Sequence, residues 1–303
     1  MQKTSTSPSG KARSLLKRKL IQVTAALLMN ANLPGFLSGR IYRGDLKQLC
    51  LPGLNCYSCP GALGACPIGS LQALAANPAT VLSFYVYGFL VLVGVLSGRL
   101  VCGFLCPFGL VQELLHKIPL RKWRHKRAFR WLRFGKYVVL SVFVIGIPTA
   151  LMVNGAVSFP AFCEYICPVG TLEAGIPLAL ANDSIREGLG WLFVWKMTVL
   201  ISVLVLCVKV FRPFCRFLCP LGALYSLFNR ISLLNIQHDA SRCTDCGTCR
   251  KSCPMEAWSA DSTECIRCGR CVAGCPSKAL HWSAARHRPP LPENSVREQL
   301  KTD

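Results

Sequence analysis

Residues 243–254 read Cys243-Thr-Asp-Cys246-Gly-Thr-Cys249-Arg-Lys-Ser-Cys253-Pro254, and residues 265–276 repeat the spacing as Cys265-Ile-Arg-Cys268-Gly-Arg-Cys271-Val-Ala-Gly-Cys275-Pro276. Thiols so placed are ligands for a soft metal centre. Three in a tight loop reach three corners of one iron–sulfur cubane, and the fourth, after a helical start, points toward another. Paired C-x2-C motifs also suit tetrahedral zinc, but two complete four-cysteine runs, each closed by proline, favour iron–sulfur clusters. Disulfides fit less well, because the basic residues ahead of the runs mark a reducing, cytoplasmic side. The stretch 235–282 is too short for a sizeable apolar core, so clusters must staple it and iron loss should unfold it.

Four further segments share Cys-Pro-apolar-Gly-x-apolar. They are Cys66-Pro-Ile-Gly-Ser-Leu-Gln72, Cys106-Pro-Phe-Gly-Leu-Val-Gln112, Cys167-Pro-Val-Gly-Thr-Leu-Glu173 and Cys219-Pro-Leu-Gly-Ala-Leu-Tyr225. Cys102, Cys163 and Cys215 stand four residues before three of them, while the first copy has Cys56 and Cys59 upstream. Proline after cysteine suits the first helical position. The thiol then lies near the positive end of a helix dipole, which favours a thiolate or an anionic cluster. Glycine lets the backbone approach a bulky cofactor. Each C-x3-C-P copy supplies two ligands, so two copies complete one four-thiolate site. Cys207, alone in an apolar stretch, reads as a packing residue.

The elements that must position these residues are membrane helices. Of 303 residues, 52% are hydrophobic and 16% charged, too apolar for disorder and too poor in charge for an ordinary soluble domain. Val81–Gly98, Tyr137–Phe159 and Trp191–Phe211 are apolar enough to span a bilayer, with Leu20–Leu37 a weaker fourth. The basic tail and Leu20–Met29 could be a cleaved signal peptide, but no small-x-small cleavage site follows. Residues 1–19 carry six Lys/Arg and no acid, 40–80 are poor in charge, 99–136 carry ten Lys/Arg against Glu113, and 160–190 turn acidic. That alternation predicts four spans with both termini in the cytoplasm of a bacterial inner-membrane protein. It also accounts for the net charge of +21, so Arg121–Arg127 reads as a loop beside anionic lipid rather than a nucleic-acid site.

The expected fold is thus a membrane all-α unit of four transmembrane helices with a pseudo-two-fold repeat, plus a small α+β ferredoxin-like domain. Its parts are a basic cytoplasmic tail (1–19), the membrane domain (20–234), a 2[4Fe-4S] domain (235–282) and a disordered tail (283–303). Cys102, Cys106, Cys215 and Cys219 follow the second and fourth spans and should hold an inner cluster. Cys59, Cys66, Cys163 and Cys167 should hold an outer one, with Cys56 able to replace Cys59. A Cys50–Cys56 disulfide is an alternative on an oxidising side. One cluster is expected at each membrane face.

The two carboxy-terminal runs resemble bacterial two-cluster ferredoxins. That resemblance implies one [4Fe-4S] cluster on Cys243, Cys246, Cys249 and Cys275, and a second on Cys265, Cys268, Cys271 and Cys253. Together with Cys102-Gly-Phe-Leu-Cys106-Pro and Cys215-Arg-Phe-Leu-Cys219-Pro, residues 20–282 resemble membrane-bound polyferredoxins of the NapH/NosR type. The resemblance implies electron transfer between the quinone pool or a cytoplasmic donor and a partner redox protein, in nitrate or nitrous-oxide respiration. The outer motifs exceed the minimal two-motif form, and no loop is long enough for a flavin-binding domain of the NosR type, so the pathway stays open.

No histidine lies in an expected span and no Cys-x-x-Cys-His, Walker A or Rossmann fingerprint occurs, so neither haem, flavin nor nucleotide is expected. An electron carrier or an oxidoreductase subunit is therefore expected, with an accessory role in reducing a metal or cofactor of another respiratory enzyme as the alternative. If quinol is oxidised, Glu113 and His116, three apart after Cys106, could take the proton, with Glu173 a further candidate. The plainer reading of Glu113 and His116 is a solvated interfacial helix.

Overall fold

The computed structural model describes residues 8–76, 82–123, 127–257 and 262–284. Val81 and most of the expected disordered tail lie outside the described residues. Two described helices are long and apolar enough to cross a membrane, Phe129–Val153 and Trp191–Lys209, and the apolar helix Leu82–Ser97 is shorter. Expected from Tyr137 to Phe159, the third span instead runs from Phe129 to Val153. Lys136, read as a loop charge, lies inside this helix with its ammonium 2.5 Å from Glu264 Oε1. Pro148 has no N–H to offer the carbonyl of Val144, and the helix widens to π geometry over Val139–Gly146.

The expected span Leu20–Leu37 is not one helix. Pro8–Met29 is helical, and a separate short helix, Leu33–Ser38, begins with Pro34 in its first turn. The break has a local cause: the Asn30 side chain turns back onto the Ala26 carbonyl, and the Asn32 side chain donates to Pro60 O.

Three copies of the Cys-Pro motif fold alike. In each, a five-residue helix (Leu100–Phe104, Ala161–Tyr165, Pro213–Phe217) ends just before the cysteine. Cys106, Cys167 and Cys219 are extended at φ near −70°, and the following proline opens the next helix. The first copy opens the helix Pro67–Ala76 in the same way. The apolar residue after each proline (Ile68, Phe108, Val169, Leu221) is buried in one shared core. A Cβ on the next glycine would approach cysteine atoms in three copies (Gly69, Gly170, Gly222) and the Arg212 guanidinium in the fourth, Gly109.

The carboxy-terminal module closes on antiparallel strands β1 (Asn235–His238) and β2 (Leu280–Ser283), with Asn235 opposite Ser283. Its two cysteine runs have matching backbones. Asp245 and Arg267, equivalent in the runs, have φ of 46° and 49°, and Glu256 and Lys278 have 54° and 53°. Such left-handed residues curl successive N–H groups toward a common centre, a cradle for an anion. The module is bolted to the membrane unit rather than tethered to it. Arg267, fully buried, donates to the carbonyls of Ser97, Asn229 and Leu234 and to Ser232 Oγ.

Candidate iron–sulfur sites

Cys102, Cys106, Cys215 and Cys219 are buried and face one another closely enough for each to feel the others' charge. Burial, then Cys215 and Cys102, push the Cys106 thiol up to about 12. A proton leaves such a thiol readily only when a metal takes its place. Cations surround the site. Arg212 is fully buried and donates to Cys102 O, while Arg99 donates to Cys215 O at 3.1 Å. Arg18, Lys19 and Arg212 converge on Glu113, and Arg99 and Lys136 on Glu264. Five cations thus share two carboxylates. A four-thiolate cubane is net anionic, so it supplies the negative charge that this buried set lacks.

A second group forms from Cys56, Cys66, Cys163 and Cys167, again mutually within electrostatic reach. Sequence symmetry favours Cys59, with Cys56 the alternative; it is Cys56 that lies within electrostatic reach of the other three thiols. Cys59 Sγ instead lies 3.6 Å from Asn30 Oδ1, whereas Cys56 Sγ lies 3.8 Å from where a Cβ on Gly170 would be. The Cys56 N–H donates to Glu173 Oε2 at 2.8 Å, an anchor that depends on tertiary contact and leaves no sequence signal. Burial and then Glu173 push the Cys56 thiol up to about 12, and burial raises Glu173 to about 8. No Cys50–Cys56 disulfide forms. Both are free thiols, and Cys50 Sγ lies 3.8 Å from Ser70 Oγ. Cys207 is buried in the Trp191–Lys209 helix, as a packing residue would be.

Arg18 contacts Gly103 beside the inner group and Asn30 contacts Cys59 beside the outer one. Arg18 lies on the helix Pro8–Met29 and Asn30 directly follows it, so the two lie about 18 Å apart at the usual helical rise. The loop carrying Cys56 folds inward: a Cβ on Gly53 would lie 3.3 Å from Cys106 Cα. Tyr225 joins the groups, with Cys102 and Cys219 in electrostatic reach on one side, Cys66 and Cys50 on the other, and its hydroxyl on Pro52 O at 3.1 Å.

In the carboxy-terminal module, Cys253, Cys265, Cys268 and Cys271 feel one another's charge, the set expected for the second cluster. Of the other set, Cys246 is exposed, Cys243 and Cys249 half-buried and Cys275 buried. The second set abuts the inner group. A Cβ on Gly103 would lie 2.4 Å from Ile266 O and 3.8 Å from Cys268 Cα. Cys102 Cα and Cys268 Cα are therefore no more than about 9 Å apart. Arg99 spans the same seam from Cys215 O to Thr263 O and Glu264.

Among the described residues, no three His, Cys, Asp or Glu side chains converge closely enough to share one metal ion. Four thiols per group are the donor set that a [4Fe-4S] cluster takes.

Glu113 is not poised to accept a proton. Burial alone would raise the Glu113 carboxyl, but Arg212, Arg18 and Lys19 hold it well below the usual range. His116 Nδ1 is 3.0 Å from Cys207 O, which can only accept, so that nitrogen carries its proton. A cavity of about 580 Å³ lies nearby, between the N-terminal helix and the carboxy-terminal module. Arg13, Lys17, Ile21, Phe104, Cys268 and Trp282 line it.

Two family descriptions match the chain. One 4Fe-4S binding domain matches residues 78–126, 138–176 and 188–236, and another matches 236–259 and 260–281. Each of the first three segments holds one C-x3-C-P motif. Similar proteins include the methylamine utilization ferredoxin-type protein MauN of Paracoccus denitrificans, 29% identical over 79% of this chain and 75% of that protein. The regulatory protein NosR of Pseudomonas aeruginosa is 29% identical over 53% of this chain and 21% of its own length. The ferredoxin-type protein NapH of Haemophilus influenzae is 25% identical, over 53% and 49% respectively. No solved structure matches.

Proposed function

We propose that this chain, a polyferredoxin of the NapH/NosR type, carries electrons through the thickness of a bacterial inner membrane between the quinone pool or a cytoplasmic donor and a partner redox protein. Bound [4Fe-4S] clusters supply one-electron chemistry without a proton or an atom being transferred. The residues themselves do three things.

They hold four ligand sets in series. The partly exposed set of Cys243, Cys246, Cys249 and Cys275 is followed by Cys253, Cys265, Cys268 and Cys271. Next come Cys102, Cys106, Cys215 and Cys219, and then Cys56, Cys66, Cys163 and Cys167. They also fix the spacing, since Arg267, Arg99 and Glu264 lock the carboxy-terminal module onto the membrane unit. Finally, they neutralise buried negative charge through Arg99, Arg212 and Lys136.

The close packing of Gly103 on Ile266 carries this reading, because it joins the soluble module's ligands to those of the membrane unit. The four-span arrangement with cytoplasmic termini is supported by the charge alternation. It is also supported by the packing of the basic N-terminal helix beside the carboxy-terminal module. A quinone headgroup suits the cavity between them, where Ile21, Phe104 and Trp282 offer apolar walls and Arg13 and Lys17 offer positive charge to carbonyl oxygens.

The test is anaerobic reconstitution into vesicles, with a quinol on one side and a redox dye of matched potential as acceptor. Wild type should transfer electrons, and Cys106→Ala or Cys219→Ala should abolish transfer while leaving the carboxy-terminal clusters in place. Wild-type protein that holds its clusters yet transfers nothing would overturn the conducting role and leave the accessory reading standing.

A further inference from the structure

The residue six positions after each motif cysteine is Gln72, Gln112, Glu173 or Tyr225 in the four copies. The two glutamines are fully buried and make the same unusual contact across the fold. Gln72 Nε2 donates to Cys163 Sγ at 3.1 Å, and Gln112 Nε2 donates to Cys215 Sγ at 3.0 Å. Each therefore reaches from one copy to the leading cysteine of the copy that completes its ligand set.

The amide orientations follow from their partners. Each Nε2 also lies 3.4 Å from the carbonyl four residues back, Ile68 O or Phe108 O, which can only accept. Gln72 Oε1 additionally accepts the Phe162 N–H at 2.9 Å. The nitrogen end must therefore face sulfur in both cases. Glu173 and Tyr225 do something else at the same position, binding Cys56 N–H and Pro52 O. One copy of each pair thus supplies a sulfur donor and the other clamps the Pro52–Cys56 loop.

We propose that Gln72 and Gln112 are positioning residues that raise the reduction potentials of the outer and inner clusters through these N–H···S bonds. The inference deepens the electron-carrier reading and rests on iron being bound at both groups. A donor to a ligand sulfur stabilises negative charge. It stabilises the reduced cluster more than the oxidised one, because reducing the iron raises the cluster's net negative charge by one and the ligand sulfurs share it. Burial strengthens the bond by removing competing water.

The experiment is a redox titration followed by electron paramagnetic resonance on full-length, anaerobically purified protein. Wild type is compared with Gln72→Leu, Gln112→Leu and the near-isosteric Gln72→Glu and Gln112→Glu, with iron per chain measured for each. The inner signal is identified by its loss in Cys106→Ala and the outer by its loss in Cys167→Ala. With full iron content, each Gln112 variant should shift only the inner midpoint to lower potential, and each Gln72 variant only the outer. A single hydrogen bond corresponds to about fivefold in the reduced-to-oxidised ratio at fixed potential. Unchanged or raised midpoints, or all signals moving together, would overturn the proposal while leaving the carrier reading intact. Loss of a cluster from both the Leu and the Glu variant would overturn it too, assigning the side chain to cluster retention. Wild-type protein lacking either signal would instead refute the four-cluster reading itself.

Discussion

Replacing Gly103 by alanine tests whether the carboxy-terminal module is seated against the inner ligand helix. The added Cβ would stand 2.4 Å from the carbonyl oxygen of Ile266, whereas real Cβ contacts stay above 3.0 Å. The backbone on one side of the seam must therefore yield by at least about 0.6 Å, and overpacking of this kind costs about 1–3 kcal/mol. Alanine is otherwise the better helix former by about 1 kcal/mol, so a comparison glycine within a helix and away from the cysteines calibrates the effect. At Gly88 in the helix Leu82–Ser97 an added Cβ would meet nothing within 4 Å. Gly88→Ala should be neutral or slightly stabilising, and Gly103→Ala less stable than Gly88→Ala by about 1–3 kcal/mol. The assay is loss of visible cluster absorbance on heating anaerobic, detergent-solubilised protein, with iron per chain measured beforehand. A Gly103→Ala protein as stable as Gly88→Ala would refute the packing of Ile266 on the Cys102 helix, and with it the continuity of the ligand series.

Three further outcomes follow from the sites. Cys56→Ala should lower iron by about four atoms per chain, while Cys59→Ala should retain it; the reverse pattern in an iron assay would restore Cys59 as ligand. Glu113→Gln leaves Arg18, Lys19 and Arg212 facing one another without their anion, and breaking such a buried set costs about 3–5 kcal/mol. Because the Glu113 carboxyl is held below its ordinary range, the stability it lends is present at neutral pH. That stability is lost as pH falls from the unfolded-state value through the folded one. Thermal scans of wild type and Glu113→Gln should therefore converge in acid. Stripping iron with a strong chelator should unfold residues 235–282 before the membrane unit, read as rapid protease cleavage within them and protection of the Trp191–Lys209 helix.

The sequence by itself determined the chemistry. The C-x2-C-x2-C-x3-C-P runs and the Cys-Pro-apolar-Gly copies specify thiolate ligands in countable sets, because ligand spacing within a tight loop is a local property. The apolar helix Trp191–Lys209 was equally legible, since hydropathy is local too. Positive charge hid only the start of the other long helix: Lys136 reads as a loop residue until Glu264, 128 residues away, neutralises it. Glu113 reads as a solvated base until three cations from distant segments close on it. The choice of Cys56 over Cys59, the meeting of Gln72 and Gln112 with sulfurs of the opposite copies, and the short path between the two membrane groups were decided only by the tertiary structure. Each depends on how a loop folds inward between helices. Gln72 and Cys163 are 91 positions apart and Gln112 and Cys215 are 103, so no local pattern records their meeting.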